Sequence, residues 1–170
     1  MTWRWKVSNY RFDEKAPLGI RPYYGLATYI KLGVPHQKPS KPSSSLHGVE
    51  IAINQIRDIL IITVYKPPTI PLMDLKKSLM TIFTHQPSME QTIVIGDFNV
   101  DYLESSNQRV QLESFFASYG LMQRVNKATT DMRTCLDHIY TNIEDAEQAV
   151  VGVSETYFSY HKAVWIALNH

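Results

Sequence analysis

Thr92-Ile93-Val94-Ile95-Gly96-Asp97-Phe98-Asn99 is the stretch on which the reading of this chain turns. Its first four residues, apolar and β-branched, predict a short buried strand that runs into a glycine. Residues two apart in extended backbone point the same way, so Asp97 and Asn99 are expected to converge on one spot at the sheet's edge. A carboxylate there can take a proton from an attacking water or help hold magnesium, and a carboxamide can donate to a phosphate oxygen. A strand-end turn, with both side chains bonded to local backbone, explains the same tetrapeptide equally well.

Upstream, Leu72, Leu75, Leu79, Ile82 and Phe83 recur at helical spacing behind Asp74, which predicts an amphipathic helix over Leu72–Phe83. Before it, the unbroken run Ile59–Tyr65 suits a strand covered on both faces and ends at Lys66-Pro67-Pro68. Val49–Ile53 alternates as a half-buried strand does, and Tyr23–Lys31 is rich in aromatic and β-branched residues, as another strand. The Pro/Ser/Lys-rich stretch from Gly33 to Ser45 is expected to be a surface loop. Downstream, a second helix is expected over Gln108–Ser118, stopped by Gly120. Strands are expected at Cys135–Thr141, Gln148–Val153 and Lys162–Leu168. No repeat and no linker divides the chain, so residues 1–170 are read as one domain, α+β in class.

Three more sites carry polar chemistry. Asp137 interrupts the apolar run Thr134-Cys135-Leu136-Asp137-His138-Ile139-Tyr140, where a carboxylate is costly unless partnered. His138 should point to the opposite face, as a surface or satisfied core histidine. His161 stands just before the last strand, where a lone histidine is more often structural but can stabilise phosphate charge if a carboxylate fixes its tautomer; Asp137 is the natural candidate. Tyr65, at the end of a buried strand and followed by Lys66-Pro67-Pro68, either presents its hydroxyl to a phosphate or caps the core.

Composition narrows the field without deciding it. The chain has 170 residues, 44% of them apolar and 19% charged, enough to bury a core. A net charge of +1 gives no global pull on a polyanion, although a local basic rim can steer one. Cys135 is the only cysteine, so neither a disulfide framework nor a cysteine zinc site is available, and a reducing compartment is expected. Met1–Tyr10 lacks the apolar run of a signal peptide, and no stretch reaches transmembrane length. A soluble, intracellular protein, nuclear or cytoplasmic and not secreted, is the expectation.

Gly-Asp-Phe-Asn at 96–99, Leu-Asp-His-Ile-Tyr at 136–140 and Ser-x-His-Lys at 159–162, with the upstream Val-Tyr-x-Pro-Pro at 64–68, stand in fixed order. Together they resemble the endonuclease/exonuclease/phosphatase superfamily, and within it the apurinic-endonuclease-like domains of non-LTR retrotransposons and Helitron-like elements. The resemblance covers about Tyr23 to Leu168. It implies a DNase I-like four-layered α/β-sandwich and Mg²⁺-dependent hydrolysis of phosphodiesters, with DNA nicked for a mobile element. Carried over by residue, Asp97 resembles the carboxylate that activates water and contributes to the metal site. Asn99 resembles the residue that orients the phosphate, Tyr65 the active-site tyrosine, His161 the histidine on the scissile phosphate, and Asp137 the aspartate that orients it.

Two departures shape what this chain is expected to do. Tyr160 stands where the family's last motif has a metal-site aspartate, and a phenol is a poor magnesium ligand at neutral pH. Nothing in Met1–Pro22 resembles the family's N-terminal strands with their metal-binding glutamate; Phe12-Asp13-Glu14-Lys15 reads as a hairpin loop. The sandwich is therefore expected to be N-terminally incomplete and catalysis impaired, with Tyr160→Asp alone restoring little. A non-catalytic module that binds nucleic acid or protein is the competing reading. Sheet edges at Leu60–Val64 and Ala163–Ile166 are expected to lose neighbours, with self-association or a covering segment around Trp3, Trp5 and Val7 as the result.

Overall fold

The computed structural model describes residues 10–15, 26–37, 48–85, 91–144 and 148–169. In chain order the elements are β1 (Tyr10–Lys15), β2 (Ala27–Lys31), β3 (Glu50–Ile56), β4 (Ile59–Tyr65), α1 (Leu72–His85) and β5 (Gln91–Asp97). α2 (Asn107–Ala117), β6 (Met122–Gln123), β7 (Asp137–Thr141), β8 (Ala149–Ser154) and β9 (Ala163–Leu168) follow. The main sheet runs in the order β3-β4-β5-β7-β6, with β4 and β5 parallel and every other pair antiparallel. A parallel pair needs a long crossover, and α1 supplies it.

The two faces of this sheet pack differently. Leu60, Ile62 and Val64 of β4, with Val94 and Tyr140, face Leu75 and Leu79 of α1 and Leu112 and Phe116 of α2 in one closed core. The alternate residues Ile59, Ile61, Ile93, Ile95 and Ile139 face Val151, Val153, Val164 and Ile166 of the β8–β9 pair. Helices, main sheet and second sheet thus make an α+β sandwich, and among the described residues no helix lies beyond β8–β9. α2 starts at Ser106, whose hydroxyl accepts from the Arg109 amide at 3.2 Å. It ends where Gly120 turns left-handed (φ +70°) and the Leu121 amide reaches back to the Phe116 carbonyl.

Several expectations change. β3 is buried on both faces over Ile51–Asn54, with Ile51 and Ile53 in the core beneath α1 and Ala52 and Asn54 buried on the other face. β4 lies between β3 and β5, so Leu60–Val64 is the middle of the sheet and not an edge. The segment Phe12–Lys15 is strand, not loop: β1 pairs antiparallel with β2, with the register slipping between Phe12 and Glu14. A polar segment gains a ladder when a neighbour's backbone offers one, whatever its side chains. Trp3, Trp5, Val7 and Tyr23–Gly25 lie outside the described residues.

Candidate active site

Strand register alone assembles the first part of the site. Glu50, Tyr65, Asp97 and Asp137 are successive partners across β3, β4, β5 and β7. Side chains in one such row point to one face, and here it is the face turned toward β8–β9. Glu50 accepts from the Leu26 amide at 2.7 Å, which ties the start of β2 to the row.

Gly96 lets the row close. A Cβ at Gly96 would lie 1.9 Å from the Val64 carbonyl oxygen, and its φ of +149° is one that side chains rarely adopt. Phe98 then turns into the opposite core, where it stacks on His138 with ring centroids 4.9 Å apart. Burying that ring is worth roughly 1.5–3 kcal/mol, and it anchors the turn that presents Asp97. Asn99 does not continue the strand, contrary to the extended geometry expected from spacing. Its φ is +47°, its amide N–H donates to Asp97 Oδ1 at 2.9 Å, and its side-chain nitrogen donates to the Lys66 carbonyl at 2.9 Å. Asn99 therefore holds Asp97 through main chain, and knots β5 to the end of β4 through side chain.

The second sheet delivers His161. Its Nδ1 lies 2.8 Å from Asp137 Oδ2, and the segment before β9 is stitched by a bridge between Thr130 and His161 and by the Lys162 amide donating to the Thr129 carbonyl at 2.7 Å. Thr129, fully buried, accepts from both the Leu136 and Asp137 amides through Oγ1, which fixes the backbone under Asp137. Asp97, Asp137 and His161 each bring a ligand-type atom within 4.8 Å of the others. His138 points the other way and is wholly buried. Its Nε2–H donates to the Val100 and Cys135 carbonyls, and Nδ1 accepts from the Tyr140 hydroxyl. Burial holds its pKa down at about 4 against those bonds, so it is a neutral core residue.

Asp97 carries the perturbation that matters for chemistry. Its pKa is raised to about 6, chiefly by burial with Asp137 opposite adding to the rise, while the Asn99 amide, His161 and Lys66 oppose it. Spacing gave no sign of two other contributors. Lys66 is 3% exposed, donates through Nζ to the Pro67 and Ile70 carbonyls, and has its pKa lowered by burial against the pull of Asp97. Asp101 Oδ1 accepts from the Cys135 amide at 2.9 Å, locking the loop after Asn99 to the approach of β7. In the sequence Lys66 shows only as the residue before a double proline, with nothing to announce its burial, and Asp101 shows no signal at all. Tyr160 is exposed, with its ring tilted against the His161 ring at 4.4 Å.

Two carboxylates facing each other across adjacent strands repel unless something positive or a proton lies between them. The oxygens of Asp97 and Asp137 suit a hard divalent cation, which needs only one or two protein carboxylates when water and phosphate complete its shell. His161 Nδ1 is engaged by Asp137, which leaves Nε2 as the histidine's outward group.

Solved structures share this fold. The endonuclease domain of TRAS1, a telomere-specific non-LTR retrotransposon, superposes with a TM-score of 0.69 at 14% identity, over 85% of this chain and 72% of that domain. CdtB, the biologically active subunit of cytolethal distending toxin, gives 0.51 at 13% identity over 71% of this chain. The Haemophilus ducreyi toxin gives 0.51 at 17% over the same share. The chain spans about half the length of those toxin chains, 52% and 53%. No curated protein matches the chain. The family model described as endonuclease-reverse transcriptase matches residues 59–165, from β4 to the middle of β9, and so takes in Tyr65, Asp97, Asp137 and His161. This chain belongs to the endonuclease-reverse transcriptase family, within the endonuclease/exonuclease/phosphatase superfamily of DNase I-like fold.

Proposed function

We propose that this chain carries a phosphodiester-cleaving site of the type that nicks DNA for a mobile element, and that its turnover is impaired. The supporting observation is the convergence of Asp97, Asp137 and His161 within 4.8 Å, with Asp137 bonded to His161 at 2.8 Å. Asp137 accepts the Nδ1 proton and orients the ring, so that Nε2 faces a phosphate oxygen. Asp97, largely ionised at neutral pH, takes the proton of an attacking water. Asn99 keeps the Asp97 carboxylate in place, and Tyr65, next to Asp97 in the sheet, offers its hydroxyl to the phosphate. Magnesium bound at Asp97 and Asp137 would neutralise phosphate charge.

Impairment rests on Tyr160. The side chain adjoining His161 is an exposed phenol where the superfamily motif has a carboxylate, which leaves the cation with fewer hard ligands. The same residue supports the second reading, a module that binds nucleic acid without cutting it. Two assays on the whole chain separate these readings. Duplex DNA is expected to bind with steep salt dependence, and supercoiled plasmid is expected to stay almost unnicked with Mg²⁺. No binding at low salt would refute the nuclease-site reading. Robust nicking that needs Mg²⁺ and vanishes in Asp97→Ala would refute the impairment.

A further inference from the structure

The loop between β8 and β9 is the most aromatic exposed segment among the described residues. Tyr157 is fully exposed, Phe158 is 90% exposed and Tyr160 is 60% exposed, all within four residues of His161. Aromatic rings left in water in this way are ordinarily explained by looseness, but this loop is braced on both sides of Tyr157 and Phe158. The Thr156 hydroxyl donates to the Ser159 and His161 carbonyls, and the His161 amide donates to Ser159 Oγ at 3.0 Å. The Asp131 amide donates to the Tyr160 carbonyl at 3.0 Å, and Lys162 pairs with Glu155 at 2.7 Å across the loop's base. One strand down, the Trp165 indole lies over Gly152, and its N–H donates to Ser154 Oγ at 3.0 Å. The rings are held out, and the series starts from Tyr160 against the His161 ring.

We propose that Tyr157 and Phe158 are a base-stacking platform, which engages unpaired or mispaired nucleobases beside the phosphate held at His161. This rests on the reading of His161 as a phosphate-facing residue. Every base has a π-face, and a ring projecting from a rigid loop stacks on it at little conformational cost. A fully paired duplex hides its faces and can offer them only by unstacking. Glu155 and Lys162 leave the base of the loop without net positive charge, unlike the basic rim of a lipid-inserting loop. The exposed Arg133 lies in the turn after Thr130, whose Asp131 amide bonds the Tyr160 carbonyl, and supplies a positive charge near the loop for a backbone phosphate.

The test compares a duplex carrying a short unpaired bubble with its fully paired counterpart, by fluorescence anisotropy. The unmodified chain is expected to prefer the bubble by about tenfold, the scale of one stacked base. The Tyr157→Ser/Phe158→Ser variant is expected to lose that preference while still binding paired duplex. In parallel, 2-aminopurine placed in the bubble should be quenched by the unmodified chain, a measurement that needs no variant. An unchanged preference in the variant, or no quenching, overturns the platform while leaving the nuclease reading intact. Absence of any nucleic-acid binding overturns both. Sedimentation of the chain with anionic phospholipid vesicles, lost in the variant, would assign the loop to a membrane surface and also overturn the platform.

Discussion

At the scale of single residues, Asp97 and His138 lie back to back across the main sheet and titrate in opposition. The unfolded chain protonates His138 near pH 6.5, whereas the folded chain holds it neutral down to about 4. Between those values the unfolded state binds more protons, so His138 makes stability fall as pH falls, by about 3 kcal/mol over the window. Asp97 does the reverse. Folded, it keeps its proton up to about 6, against 3.8 for an ordinary aspartate, so between 3.8 and 6 stability falls as pH rises. Its partial exposure brings that effect to about 1–2 kcal/mol. Asp97→Asn, melted in urea with a chelator present, is therefore expected to be more stable than the unmodified chain at pH 7 by about 1–2 kcal/mol. Near pH 4 the two should be equal, so the variant's stability climbs more steeply with pH. Parallel curves, or a variant weaker at pH 7, would show that Asp97 is not held in an unfavourable charged state.

At the scale of elements, the β5 terminus has no slack. Gly96→Ala would drive a methyl into the Val64 carbonyl at a backbone angle alanine avoids. The parallel β4–β5 ladder must then open just where Tyr65 and Asp97 are paired. A loss of about 3 kcal/mol or more is expected. Circular dichroism melts would check it, and a variant within 1 kcal/mol of the parent would mean that the close approach relaxes freely. This is also where sequence reading was strongest and where it failed. Strand, glycine and Asp97 were legible because a buried run ending at a glycine leaves few geometries. The convergence of Asn99 was read through strand periodicity, which stops at Asp97; a left-handed residue two positions on obeys turn geometry instead. β1 was missed for a related reason, since its ladder is supplied by the next strand, β2, and its polar residues Asp13-Glu14-Lys15 carry no strand signal. Asp137 and His161 were paired from chemistry, a buried carboxylate needing a donor, and no local pattern could have given the 2.8 Å contact.

Across the whole molecule the site is shared between a tight half and a loose half. Asp97 and Asp137 belong to the main sheet, under the helix core whose members are almost all buried. His161 enters with β9, none of whose residues is fully buried, and whose Val164, Ile166 and Leu168 are only half covered. Elements with few buried contacts open first, on their own, without global unfolding. Cys135 lies wholly inside the layer between the two sheets, next to the Asp101 and Thr129 contacts that root Asp137. Burial, with Asp101 and Asp137 adding to it, lifts its thiol pKa to about 12, so the closed protein presents no thiolate to a reagent. As the chain's sole sulfhydryl, it is a built-in stopwatch for separation of the two sheets. Alkylation by excess iodoacetamide should run at the rate of that opening, faster than global unfolding measured by loss of helix signal. Removing apolar cover from β9, as in Ile166→Ala, should speed the labelling about tenfold or more, for a loss of roughly 2 kcal/mol in local stability. Labelling that waits for global unfolding would mean that the histidine arm and the carboxylate sheet come apart only when everything does.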